Sequence, residues 1–310
     1  MKSVALTVLL LLSASVSGQT LERTIHLGDT WRLPSDPVAF AYDSRDRTVF
    51  IGGESSDSVL VLDEHTIEPV GWIDAGAPVP VLSYCPALNK LYCLQTGSIS
   101  VYDAFTHVRL KVIPASVEPK EACLDSEDNK LYVVSGDSAT VTVVDCNTDS
   151  VSAVLTGLDR GGWSRQSICY VPGWHRAYCC DYDDSSVVVI DCRADTILSR
   201  VHTPARPLVL CYNSANNRVY VLYDGAYGPT GIDVATNTVV SNAACLGCDG
   251  PHALCCNPSG NKLYGLCEEG LGVYDCSSDS IVAVVLPAYG DAGLTYSPTA
   301  NKVYAVSQFG

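Results

Sequence analysis

Apolar and polar residues alternate in short runs along nearly the whole chain, and clusters of Gly, Asn, Asp and Ser separate the runs. Period-two alternation is the mark of half-buried strands, and the separating residues are turn formers. The pattern also repeats at longer range. An aromatic residue recurs at Phe50, Tyr92, Tyr132, Tyr178, Tyr220, Tyr264 and Tyr304, with spacings of 42, 40, 46, 42, 44 and 40. Asn-Lys/Arg-apolar precedes it at Asn89, Asn129, Asn217, Asn261 and Asn301. A second landmark, an apolar alternation closing on Asp, ends at Asp63, Asp103, Asp145, Asp191, Asp233 and Asp275. Pro37, Pro78, Pro119, Pro207 and Pro251 stand 13 or 14 residues before the aromatic. Landmarks that keep one common period define an internal repeat.

Each unit reads as four strands. In the third, Ala122–Leu124, Leu131–Val134, Thr140–Asp145 and Val151–Leu155 are separated by polar turns. Four antiparallel strands in about 42 residues match a propeller blade, in which radial repetition leaves only short edges. The expected fold is all-β: a seven-bladed β-propeller of four-stranded antiparallel blades. Its units fall near 37–77, 78–118, 119–162, 163–206, 207–250 and 251–290, and a last unit joins 291–310 to 20–28. The segment Thr20–Gly28 reads as an isolated fourth strand that closes the last blade beside Ala292–Tyr296 and Lys302–Val306. That blade is then one strand short. Either it has three strands or the chain continues past Gly310.

These residues resemble the YVTN family of β-propeller repeats. The family core, Asn-Lys-Val-Tyr-Val, then Val-x-Val-Ile-Asp, then Thr-Asn/Asp-x-Val, is matched by Asn129–Val134, Val141–Asp145 and Thr148–Val151. Val187–Asp191 and Asp195–Leu198 fit it as well. The resemblance spans essentially everything after residue 18. It implies the propeller fold and little about activity, because the matched residues are structural.

The N-terminus breaks the pattern. Lys2 precedes the apolar run Val4–Leu12, which is followed by the small residues Ser13–Gly18. This is the layout of a secretory signal peptide, here residues 1–18, with cleavage expected near Gly18. A run of this length is too short to span a bilayer, which takes ~20 apolar residues, and no later segment reaches spanning length. The expected location is secreted, periplasmic or cell-surface. The formal net charge of −15 repels phosphate backbones and so argues against nucleic acid as a partner.

Fifteen cysteines in an exported chain raise the question of disulfides. Cys123, Cys169, Cys211 and Cys255 hold one repeat position, and Cys146, Cys192 and Cys276 hold another. Neighbouring blades pack about 10 Å apart, beyond the reach of a disulfide. These thiols are therefore read as small buried hydrophobes. Cys245 and Cys248 lie in a connecting loop near His252 and Cys255, where a local disulfide, free thiols and a weak zinc site are all open readings.

No hydrolase elbow, P-loop or paired-histidine metal motif occurs in the sequence. The Asp after each third strand is expected to accept hydrogen bonds from its turn, and His65 and His107 to face solvent. Asp181, Asp183 and Asp184 read as a solvated turn more readily than a calcium loop. Variable loops on a rigid frame are where binding residues gather. The candidate face therefore comprises Arg160, Trp163, Arg165, Asp181, Asp183, Asp184, His202, Arg206 and His252. The expected function is a non-catalytic extracellular binding or scaffold module for a protein or glycan ligand, without a cofactor. Two alternatives stand beside it: an exported propeller enzyme similar to lactonases or quinoprotein dehydrogenases, and a surface-layer or adhesive protein.

Overall fold

The computed structural model describes residues 6–12, 21–27, 34, 37–66, 68–136, 138–158, 167–225, 228–242, 251, 253–267, 270–285, 294–297 and 301–307. Six sheets are each built from four consecutive strands in up-and-down order. Sheet 1 holds Pro37–Asp43, Thr48–Gly53, Ser56–Asp63 and Pro69–Asp74. Sheet 2 holds Val81–Cys85, Lys90–Gln95, Ser98–Asp103 and Arg109–Pro114. Sheet 3 holds Pro119–Asp125, Lys130–Ser135, Thr140–Asp145 and Ser150–Leu155. Sheet 4 holds Ile168–Val171, Arg176–Asp181, Ser186–Asp191 and Thr196–His202. Sheet 5 holds Pro207–Asn213, Arg218–Tyr223, Thr230–Asp233 and Thr238–Asn242. Sheet 6 holds Ala253–Asn257, Lys262–Cys267, Gly270–Asp275 and Ser280–Val285.

The uninterrupted repeat thus yields six blades of consecutive strands, where the sequence reading counts seven. The remaining strands come from both ends of the chain. Leu294–Ser297 pairs with Lys302–Ser307, which pairs with Leu6–Leu12, which pairs with Leu21–Leu27. Leu21–Leu27 takes the fourth place in this terminal sheet, as expected for residues 20–28. The place expected to be empty is filled by Leu6–Leu12, the same segment that reads as the core of a signal peptide.

The chain divides into two compact units. One, Leu33–Asp183 with Val188–Arg200, holds sheets 1 to 3 and most of sheet 4. Its core lies between consecutive sheets. Phe50 and Val61 meet Leu91 and Tyr102, and Tyr132 and Val143 meet Ala177 and Ile190. Gly52 permits one of these close approaches, since a Cβ there would stand 2.7 Å from the Val79 carbonyl oxygen. The other unit, Met1–Arg32, Asp184–Val187 and Val201–Gly310, holds sheets 5 and 6 and the terminal sheet. There Tyr220 and Leu222 pack with Leu263 and Tyr274, and Tyr264 and Val273 pack with Val303.

Local chemistry explains the landmarks. The turn from first to second strand places Arg47, Asn89, Asn129, His175, Asn217, Asn261 and Asn301 at positive φ. Asn is among the few side chains that occupy this left-handed region readily. The carbonyl of this residue then accepts from the residue after the third-strand Asp: Ala104 to Asn89, Cys146 to Asn129, Cys192 to His175, Val234 to Asn217 and Cys276 to Asn261. The Asp itself caps the next turn. Oδ1 of Asp103 accepts from the N–H groups of Phe105 and Thr106; Asp63, Asp191 and Asp275 do the same in their own turns, and Asp145 and Asp233 accept from one such N–H, of Asn147 and Thr236.

A second device ties one sheet to the next. Lys90 Nζ and Tyr92 Oη both donate to Asp149 of sheet 3, at 2.7 and 2.8 Å, and to the Cys146 carbonyl. Lys130 and Tyr132 repeat this on Asp195 and the Cys192 carbonyl of sheet 4. Burial, with the neighbouring carboxylate, holds both tyrosine hydroxyls well above their usual pKa. In sheet 1 the tyrosine is Phe50, and the acid's position in sheet 2 holds His107, whose ring meets Phe50 edge-on at 6.2 Å. His107 is therefore half-buried rather than facing solvent, whereas His65 is exposed as expected.

Twelve described cysteines are free thiols and most are buried, in keeping with their use as small hydrophobes. Burial pushes Cys192 and Cys276 up to about 12. Cys267 is disulfide-bonded.

Candidate functional site

The loops singled out from sequence separate into several cases. Arg160, Trp163, Arg165 and His252 lie outside the described residues, as do Cys245 and Cys248 of the weak zinc reading. Cys255, the remaining member of that set, is a buried free thiol. Asp183, His202 and Arg206 are exposed, as a binding role requires, and Asp184 is partly exposed and accepts from the Ser186 hydroxyl. Asp181 does not belong with them. It ends a second strand fully buried, and its Oδ2 takes the Arg200 guanidinium, which also donates to the Gly157 carbonyl. A buried carboxylate needs such a partner, so Asp181 is part of the frame.

Polar side chains converge instead on the turns between first and second strands of sheets 3 and 4. Asp125 ends the first strand of sheet 3, and its Oδ1 accepts from the N–H groups of Glu127 and Asp128 at 3.0 and 3.2 Å. This is the turn-capping arrangement that Asp43 and Asn213 also make. In sheets 5 and 6 the second atom of the residue at this position reaches the left-handed Asn of the following sheet, whereas in sheet 1 Asp43 Oδ2 has no hydrogen-bond partner. The Asn213 amide donates to Asn261 at 2.8 Å, and Asn257 donates to Asn301 at 3.2 Å. In sheet 4 that Asn is His175. Asp125 is fully buried, and its Oδ2 has no hydrogen-bond partner. His175 Nδ1 is also buried without one, 3.5 Å from Asp128 Oδ2 and 3.8 Å from Glu127 Oε2.

The surroundings hold this cluster in place. Glu127 Oε2 accepts from Tyr170 Oη and from the Gly173 N–H, and these bonds lower the Glu127 pKa. The tyrosine pKa moves the opposite way, raised first by burial and then by Glu127 and Asp125. Tyr170 has a single hydroxyl proton and commits it to Glu127, which leaves Asp125 Oδ2 without it. Gly173, at φ +76, gives the turn its sharp bend. Trp174 then stands partly exposed with the Arg176 guanidinium 5.1 Å from its ring centroid, within range of a cation–π contact. Donor atoms of Asp125, Asp128 and His175 all lie within 4.8 Å of one another. Two carboxylates and an imidazole are a donor set for a divalent cation.

Sequence reasoning overlooked these residues because it sought function in the variable loops, and they sit in the stereotyped turns. The signal was nevertheless present: His175 replaces Asn at a position where five other turns carry it.

A second feature is apolar. Val70 and Trp72 on the fourth strand of sheet 1, and Phe105 and Val108 in the last turn of sheet 2, are exposed by 57%, 42%, 69% and 59%. The two elements touch through Gly71, where a Cβ would stand 3.3 Å from the His107 imidazole, while Val70 and Trp72 alternate to the other face of the strand.

No protein-family model matches the chain, and no curated protein matches it. Among solved structures it is similar to the hydrazine synthase of Kuenenia stuttgartiensis, a β-propeller-containing protein, with a TM-score of 0.74 and 17% identity. The match covers 90% of this chain and 96% of that one. At this identity the likeness shows the fold, an all-β propeller-like succession of four-stranded sheets. Among the described residues no helix is long and apolar enough to cross a membrane.

Proposed function

We propose that the chain is an exported binding module of the YVTN-like propeller type, one that engages a protein or glycan ligand without transforming it. The observation that carries this reading is the exposure of large apolar side chains, Val70 and Trp72 on sheet 1 and Phe105 and Val108 in the last turn of sheet 2, on a frame whose buried polar groups are largely engaged in ties between sheets. Large apolar side chains held at a rigid surface cost solvation and are a common mark of recognition sites. Tryptophan and phenylalanine present flat faces that suit both an apolar protein anchor and the C–H face of a sugar. The acidic surface adds selectivity against anionic partners. Export is supported by the layout of residues 1–18.

A glycan-array and cell-surface binding screen of the secreted protein, run beside a Trp72→Ala/Phe105→Ala double variant, tests the reading. A ligand held by the parent and lost by the variant, with near-ultraviolet circular dichroism unchanged, is the expected outcome. Native mass spectrometry supplies the contrary test. A stoichiometric organic cofactor on the secreted protein would move the reading to an exported enzyme.

A further inference from the structure

We propose that Asp125, Asp128 and His175 form a binding site for one divalent transition-metal ion of the Zn2+ type, joining the first turns of sheets 3 and 4. This does not rest on the binding-module reading. Two independent orphans point into the same space: Asp125 Oδ2, fully buried with no partner, and His175 Nδ1, buried with none. Such atoms lose their hydration without replacement, which native proteins rarely tolerate. A proton on His175 Nδ1 would serve one carboxylate and leave the other facing it across a few ångströms, whereas a cation satisfies all three donors at once. The spacing agrees with this. Tetrahedral zinc with bonds of about 2.0–2.1 Å places its donors roughly 3.3 Å apart, and His175 Nδ1 stands 3.5 Å from Asp128 Oδ2. The full set lies within 4.8 Å, so the Asp128 side chain, 41% exposed, is the ligand free to close the remaining gap.

Glu127 acts one step back. Its Oε2, 3.8 Å from His175 Nδ1, is occupied by Tyr170 and the Gly173 N–H. It fixes the turn that carries His175 rather than replacing a ligand. The imidazole nitrogen selects against Ca2+ and Mg2+, which take oxygen ligands, and three protein donors leave a fourth position open to water. The repeat shows what the position looks like without this function. Sheets 5 and 6 place Asn213 and Asn257 where sheet 3 has Asp125, and their amides bond directly to Asn261 and Asn301. Sheet 1 has Asp43 there, also with an unpartnered Oδ2, but the left-handed residue of the next sheet is Asn89, so the histidine is what distinguishes the pair of sheets 3 and 4.

That comparison supplies variants expected to fold. Asp125→Asn and His175→Asn each install the residue that other sheets already use, and Asp128→Asn alters a largely solvent-facing side chain. The chelator-stripped full chain is titrated with ZnCl2 by calorimetry, in parallel with CaCl2, and the visible absorption of the Co2+-loaded protein is recorded. The expected result is one Zn2+ per chain, a Co2+ spectrum showing nitrogen and oxygen ligation, and at least ~100-fold weaker binding in each variant. Absence of a stoichiometric ion overturns the proposal. So does tighter binding of Ca2+ than of Zn2+, or equal Zn2+ affinity in the parent and folded Asp128→Asn, which would place the ion elsewhere.

Discussion

Lys130, Tyr132 and Asp195 show how individual side chains hold one sheet to the next. The ion pair is mostly enclosed, with Lys130 19% and Asp195 17% exposed, and the tyrosine adds a hydroxyl donor at 2.6 Å. Removing the acid leaves the Lys130 ammonium without its counter-ion and both donors with the Cys192 carbonyl alone, whereas removing the hydroxyl leaves both acceptors still bonded to Lys130. Asp195→Ala is therefore expected to cost about 3 kcal/mol and Tyr132→Phe about 1 kcal/mol, read from urea denaturation midpoints. Equal costs would contradict the geometry. Phe50 and His107 occupy the matching positions between sheets 1 and 2, which makes them a natural exchange. Phe50→Tyr alone buries a hydroxyl against the imidazole, and His107→Asp alone sets a carboxylate against a phenyl edge. Together they rebuild the tyrosine–acid pair, so a coupling energy of about 1–2 kcal/mol is expected from the double-mutant cycle. Additive effects would show that the two positions do not communicate.

The turns carry the pH response of the strands they join. Asp63, Asp103 and Asp233 each accept the backbone N–H and then the hydroxyl of Thr66, Thr106 and Thr236, and these bonds lower their pKa values below the usual carboxylate value. A depressed folded-state pKa contributes stability that is complete above the unfolded value and is lost as pH falls through the folded one. The melting temperature should thus stay level from neutral pH downward and fall below about pH 4. Asp103→Asn, which keeps the accepting oxygen but not its charge, should soften that fall by lowering the neutral plateau while leaving the acid limb unchanged. A melting temperature that is flat to pH 2 would remove these turns from the account. The same element-level logic distinguishes the third strand of sheet 5. That strand begins only at Thr230.

Leu6–Leu12 sets two processes in competition over the whole chain. The run is apolar enough to be read for export, and in the folded chain it pairs with Lys302–Ser307 on one side and Leu21–Leu27 on the other. Removal of residues 1–18 would open the hydrogen-bonding edge of Lys302–Ser307 and detach Leu21–Leu27 from its partner strand among the described residues. Hydrogen exchange compared between the full chain and a 19–310 chain should show faster exchange of alternate amides at Lys302–Ser307 in the shorter form, with sheets 2 and 3 unchanged. Identical protection would mean that another strand takes the place. N-terminal sequencing of secreted material decides which form the cell exports.

Much of the architecture was legible in the chain itself. Period-two alternation, the Asn of the first turn and the Asp after the third strand each encode a local backbone state, so strands and turns emerge from neighbouring residues alone. Six sheets of consecutive strands follow from that code. The terminal sheet does not, because its strands come from opposite ends of the chain and the apolar run 6–12 fits a leader and a strand equally well. Side-chain meetings between sheets lay beyond the code too. Asp181 reads as one of a solvated acidic cluster, yet strand packing buries it against Arg200. Asp125 and His175 are fifty residues apart, each unremarkable within its own turn. Only the face-to-face packing of consecutive sheets sets a buried carboxylate oxygen opposite an imidazole nitrogen, because local periodicity determines which way a side chain points, and tertiary packing determines what it finds there.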